Sequence, residues 1–170
     1  TEWDLLFTKY YDTDESEIVT GVLLNKGAEV VEIDGTSPAS ASYEDETFDI
    51  AIDKSTIDAL LWGNHAFVNV AKMTKEVQRV LKPEGHYLVI SYGKPDNRTV
   101  HFERDHLAFS VEESIVYPIN WKTDQEKMDK KHYVYACKKE LNASEAAKNW
   151  PQVLEWLKDQ DKEQVADESS

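Results

Sequence analysis

Apolar and polar positions alternate along the chain in short blocks, and the blocks change period from two to nearly four as it advances. Residues 48–52 are an apolar run with a Phe-Asp entry, short enough for one buried strand, and they end in the charged pair Asp53-Lys54. Ser55-Thr56 then opens an amphipathic segment, so strand, polar tip and helix start follow one another without a gap. Phe67, Val70, Met73, Val77, Val80 and Leu81 share one helical face, which predicts a helix stopped by Pro83-Glu84-Gly85. Residues 86–92 read as the next strand, 93–97 as a loop, 109–119 as a loosely alternating strand and 132–137 as the last strand. The final two strands predict an antiparallel hairpin, with the charged run 122–131 as its solvated tip.

Ahead of this block, residues 5–11 are rich in aromatics and fit a strand or a short amphipathic helix led by Trp3. Residues 12–16 form a turn with N-cap chemistry, and Ile18, Val19, Val22 and Leu23 recur at helical spacing before Gly27. Residues 30–33 are a β-branched strand ending at Asp34-Gly35, and 36–47 an exposed connection. Behind the hairpin, Trp150, Val153, Leu154 and Leu157 predict one short helix at 140–158, and residues 159–170 an acidic, disordered tail. Strand and helix alternate through the middle and a strand pair closes the chain. That order predicts an α/β fold with a mostly parallel sheet and one antiparallel strand at or near an edge. In such sheets ligands bind outside the carboxyl ends of the strands, which makes the tip at Asp53 the first candidate site.

Composition narrows the class. At 170 residues one domain is expected, and 41% hydrophobic with 11% aromatic residues is ordinary for a globular core. The net charge of -14 argues against a nucleic-acid groove and suits a basic protein partner or a merely soluble surface. Cys137 is the single cysteine, so no intrachain disulfide can form, and its apolar setting predicts a small core residue. No apolar run is long enough for a membrane span and no secretory signal is visible, which points to a reducing compartment, cytoplasmic or nuclear. Asn97-Arg98-Thr99 and Asn142-Ala143-Ser144 match the glycosylation pattern by chance on that reading. The five histidines show no paired ligand spacing, so no metal is expected. Taken alone, Asp53 and Lys54 are a solvated pair at a strand end, Asp14 a helix cap and Asp34 the start of a turn.

The stretch Phe48-Asp-Ile-Ala-Ile-Asp-Lys-Ser-Thr-Ile-Asp-Ala-Leu-Leu61 resembles the motif of class I S-adenosylmethionine-dependent methyltransferases. It is similar above all to the branch that methylates lysine on translation elongation factor 1-alpha, with Ser55 in place of the customary glycine. Val77-Gln-Arg-Val-Leu-Lys-Pro-Glu-Gly85 resembles the turn before that family's fifth strand, and Arg98-Thr-Val-His101 also looks like the branch. The closing hairpin corresponds to the family's sixth and seventh strands. The resemblance implies a Rossmann-like sheet over residues 1–139, S-adenosylmethionine as cofactor without a metal, and N-methyl transfer to a protein lysine. It implies that Asp14, Asp34, Gly35 and Asp53 bind the cofactor, that Asp53 and Lys54 are catalytic, and that Asp58 and Tyr92 meet the substrate.

One departure from the family pattern is plain. The six glycines (21, 27, 35, 63, 85 and 93) are too far apart to form a Gly-x-Gly loop, the element that lets backbone amides approach the cofactor. The reading is therefore of a methyltransferase domain shortened at its front, the chain opening on Thr1 and not on Met. Two functions are carried forward: methyl transfer to lysine on a basic protein, and a catalytically inactive adaptor that docks a partner or self-associates through an exposed sheet edge.

Overall fold

The structure is a computed structural model that describes residues 43–117 and 122–168, with side chains described to residue 162. The segments expected at 5–11, 18–23 and 30–33 lie outside the described residues, as do Asp14, Asp34, Gly35 and residues 118–121 between the two hairpin strands.

Strand β1 (Phe48–Lys54) runs directly into the short helix α1 (Thr56–Leu61), and helix α2 (Ala66–Val80) returns the chain to strand β2 (Leu81–Ser91). After two 3-10 turns come strand β3 (Phe109–Val116), helix α3 (Asp124–Asp129) and strand β4 (His132–Lys139), then a single turn α4 (Ala143–Ala146) and helix α5 (Trp150–Glu168). The sheet order is β1-β2-β4-β3. β1 and β2 pair in parallel, while β4 is antiparallel to both β2 and β3. Three strands thus share one direction and β4 alone opposes them, one place in from the edge strand. The predicted mixed sheet and its closing hairpin are both present.

The period-two pattern decides which way the sheet faces. Ala51, Asp53, Tyr87, Val89, Ser91, Tyr133, Tyr135 and Cys137 are buried on one face, and α1 and α2 pack there through Ile57, Leu60, Val70, Met73, Val77 and Val80. Cys137 is a core residue, and burial pushes its thiol well above the ordinary range. A second cluster joins α2 to α5: Val68, Ala71 and Leu157, with Phe67, Trp150, Val153 and Leu154 against them. These positions recur at helical spacing on both elements.

Three expectations need correction. The turn at Pro83 does not precede β2 but is absorbed into it: between the pairs Phe48↔Leu81 and Ile50↔His86 the partner strand advances two residues and β2 advances five. Glu84 takes a left-handed φ of 62° there, and a Cβ on Gly85 would stand 2.8 Å from the Lys82 carbonyl, so the bulge requires glycine. The charged run expected as a loop contains α3, opened by Thr123, whose hydroxyl accepts from the Glu126 amide at 3.1 Å while Glu126 accepts from the Lys122 amide at 2.7 Å. The first half is that of a capping box; the return bond goes one residue further back, to the amide before the N-cap. Finally, the helix expected to stop at 158 runs to Glu168, through most of the stretch expected to be disordered. Asp161 explains why. It is 5% exposed, and its carboxylate accepts from the Phe67 and Val68 amides at 3.0 and 3.2 Å, capping α2 from α5.

Candidate functional site at the carboxyl ends of β1 and β2

The parallel pairing brings Lys54 level with Ile90, so both strands end side by side at one edge of the sheet. The chain leaves β1 through Ser55, whose amide donates to the Ile90 carbonyl at 2.9 Å. Ser55 itself is left-handed, at φ 64° and ψ 7°. That conformation is the physical reason a glycine is customary here: a side chain at positive φ crowds the following carbonyl.

Asp53 holds this turn from beneath. Its Oδ1 accepts from the Thr56 amide at 2.7 Å, and its Oδ2 from the Ile57 amide at 3.1 Å and the Tyr87 hydroxyl at 3.0 Å. The first amides of α1 are thereby satisfied by a carboxylate three residues upstream, a cap that also complements the helix dipole. Asp53 has no exposed surface. Burial raises its carboxyl to about 6, against the downward pull of the Thr56, Tyr87 and Ile57 donors. Tyr87 is pushed well above its ordinary range by burial and by the Asp53 charge, so the phenol keeps its proton. Lys54, next along, is exposed at the rim.

One turn into α1, Asp58 collects a second network. It accepts from the Ser91 hydroxyl at 2.5 Å, from the Tyr92 amide at 3.1 Å, and from Arg98 through Nε at 3.2 Å and Nη2 at 2.8 Å. Both side chains of the Asp58–Arg98 pair are only 12% exposed. Ser91 accepts in turn from the Gly93 amide at 2.9 Å, and the Tyr135 hydroxyl donates to the Gly93 carbonyl at 2.6 Å. Tyr92 is 58% exposed and its ring lies 4.2 Å from that of His132, at the start of β4.

The structure therefore gathers Asp53, Lys54, Asp58 and Tyr92 at one edge. It separates them into two kinds: Asp53 and Asp58 are engaged beneath the surface, while Lys54 and Tyr92 stand at it. Asp14, Asp34 and Gly35 fall outside the described residues. Tyr87, Ser91, Arg98 and Tyr135 belong to the site and were not singled out as site residues from sequence. For Arg98 the signal was present in the Arg98-Thr-Val-His101 segment; Tyr87 and Tyr135 look like any alternating core tyrosine. A separate hollow of about 670 Å³ lies elsewhere, lined by Phe67, Val100, His101, Arg104, Trp156 and Leu157 among others, and none of the tip residues lines it.

With this geometry in hand, comparison with known proteins assigns the class. A family described as a methyltransferase domain matches residues 25–162, and the chain belongs to it, as a class I methyltransferase. Among curated proteins it is 32% identical over 73 residues to EEF1A lysine methyltransferase 4 of Bos taurus, covering 38% of this chain and 29% of that protein. It is 29% identical over 75 residues to the mitochondrial citrate synthase-lysine N-methyltransferase of Danio rerio, covering 44% of this chain and 29% of the relative. The chain thus spans less than a third of the length of these relatives. A S-adenosylmethionine-dependent methyltransferase from Methanosarcina mazei superposes with a TM-score of 0.39 at 17% identity, over 62% of this chain and 66% of that one.

Proposed function

We propose that this edge serves S-adenosylmethionine-dependent N-methylation of a lysine on a basic protein. The observation that carries the reading is the 48–61 segment: the motif that resembles the lysine-methylating branch is folded as a strand, a left-handed turn and a capped helix at the sheet edge where α/β proteins bind ligands. The two named relatives are both lysine methyltransferases, which supports lysine as the acceptor. A net charge of -14 favours a basic partner. Neither the family match nor the relatives speak for an inactive adaptor, and that reading is set aside.

The cofactor, when bound, supplies a methyl group carried on a sulfonium cation. A buried carboxylate beneath the turn fits a cation above it, because Asp53 keeps a negative charge at neutral pH in a place of low dielectric. Asp53 presents no surface, so its part is to shape and charge the Lys54–Ser55 turn. By the resemblance Asp14, Asp34 and Gly35 would hold the adenosine portion, since carboxylates accept from a hydroxyl pair or an exocyclic amine. Tyr92 walls the approach of the acceptor lysine, and the exposed Lys54 stands at the same rim. The acceptor amine loses its proton to solvent before the transfer, and the rim sets its line of approach.

The test is transfer of radiolabelled methyl from S-adenosylmethionine to a lysine-rich protein acceptor, read as N-methyllysine by mass spectrometry. The reading predicts label on lysine that disappears in Asp34→Ala. Label on no lysine, with active relatives as control, would overturn it.

A further inference from the structure

Arg98 belongs to no helix or strand, yet it ties Asp58 of α1 to Ser91 at the end of β2. Its Nε and Nη2 both donate to one oxygen of Asp58, Oδ1, and Nε also reaches the Ser91 hydroxyl at 3.1 Å. The opposite oxygen of Asp58 accepts from the backbone amide of Tyr92. A straight line of contacts therefore runs from Arg98 through Asp58 to the main chain of the residue whose ring forms the rim. Gly93 reports how closely the guanidinium is seated: a Cβ there would stand 2.2 Å from the Arg98 Cζ and Nε. An alanine there would push the guanidinium out of its present seat against Asp58, so the glycine leaves the room that the ion pair uses.

We propose that Arg98 is a positioning residue for the methyl acceptor: through Asp58 it fixes the Tyr92 backbone, and so fixes the Tyr92 ring against His132 at the mouth of the site. The proposal rests on the lysine-methylation reading for the identity of the acceptor, but the placement of Tyr92 does not depend on it. Asp58, expected to touch substrate, acts here from beneath, with both oxygens occupied. Lysine at 98 brings one nitrogen where arginine brings two to Asp58 Oδ1 and the Ser91 hydroxyl, so it replaces the contact only in part.

The experiment uses the full chain and three variants, Arg98→Ala, Arg98→Lys and Gly93→Ala, with Tyr92→Ala as reference. The first readout is the ring-current displacement of the His132 C–H resonances in NMR spectra. Tyr92→Ala abolishes that displacement; Arg98→Ala and Gly93→Ala are expected to reduce it by more than half, and Arg98→Lys to retain part of it. Gly93→Ala matters most, because it leaves both members of the ion pair in the sequence and removes only the space. The second readout is methyl transfer to a lysine-rich protein, where KM for the acceptor should rise severalfold while the Kd for S-adenosylmethionine stays within twofold. An unchanged His132 resonance in a folded Gly93→Ala or Arg98→Lys chain would overturn the proposal and leave the pair as a simple structural tie. Absence of cofactor binding in the unaltered chain would instead count against the lysine-methylation reading, with the NMR comparison still decisive for Arg98.

Discussion

Tyr87 donates its hydroxyl hydrogen to the Asp53 carboxylate at 3.0 Å, across the β1–β2 pair and with both side chains sealed from solvent. The contact links the strand that carries the tip to the strand that closes it. It adds a side-chain donor from the neighbouring strand to a carboxylate that also accepts from the Thr56 and Ile57 amides.

Tyr87→Phe keeps the ring and removes the donor, so one buried acceptor loses a partner. The expected cost is about 1–3 kcal/mol, the usual range for stranding a buried hydrogen-bonding group. Urea unfolding of the two chains measures it, and the Asp53 carboxyl should titrate higher in the variant, read by carboxyl-carbon NMR.

Ser55→Gly should stabilise the chain. The residue sits at φ 64°, where a side chain is strained, and glycine removes that strain at about 1 kcal/mol. A rise in Tm without loss of the β1–α1 hydrogen bonds in amide exchange is the expected result; an unchanged or lower Tm would mean the turn relaxes around serine.

Asp161→Ala removes the cap that α5 places on α2. The part-buried amide of Phe67 and the buried amide of Val68 lose their acceptor, which should cost about 1–3 kcal/mol. Amide exchange should quicken in α5 and in the first turn of α2 before it quickens in the sheet.

How much of this could be read beforehand follows the range of each interaction. β1, α2, β2, β4 and the hairpin were legible because periods of two and 3.6 are local, and Val70, Met73, Val77 and Val80 do form the buried stripe. The tip was legible because its motif is contiguous. The length of α5 was not, since residues 159–162 are polar and the contact that retains them is with Phe67, more than ninety residues away. α3 could have been found: Thr123 and Glu126 have the spacing of a capping box, outweighed in the reading by the surrounding charge. The engagement of Asp58 was hidden for the same reason as that of Asp161, because Arg98 lies forty residues further on.

Acid should unfold the chain earlier than its carboxylates alone would. Burial lowers His101 from 6.5 to about 3 and His106 from 6.5 to about 4. Neither ring nitrogen of His106 meets hydrogen-bond geometry among the described residues, although the Ala71 backbone slightly favours its charged form. Both histidines have depressed folded values, so their stabilising contribution is complete above 6.5 and is lost as pH falls toward 4 and 3. Each costs up to about 1.4 kcal/mol per pH unit in that window. Asp53 has the opposite sign: raised from 3.8 to about 6, it takes its proton first in the folded state and favours folding as pH falls through that interval. Two histidines against one aspartate leave a net loss on acidification. His106→Phe, which keeps a ring against Trp150, should flatten the dependence of Tm on pH between 6 and 4.5 and leave neutral stability equal or higher.

The account depends on an adenosyl ligand meeting the turn above the buried Asp53, with Asp34 as a further acceptor. Isothermal titration of the full chain with S-adenosylmethionine tests that most directly. Saturable binding, weakened about tenfold or more by Asp34→Ala, is the predicted result. No heat up to millimolar ligand, or binding indifferent to Asp34, would contradict it.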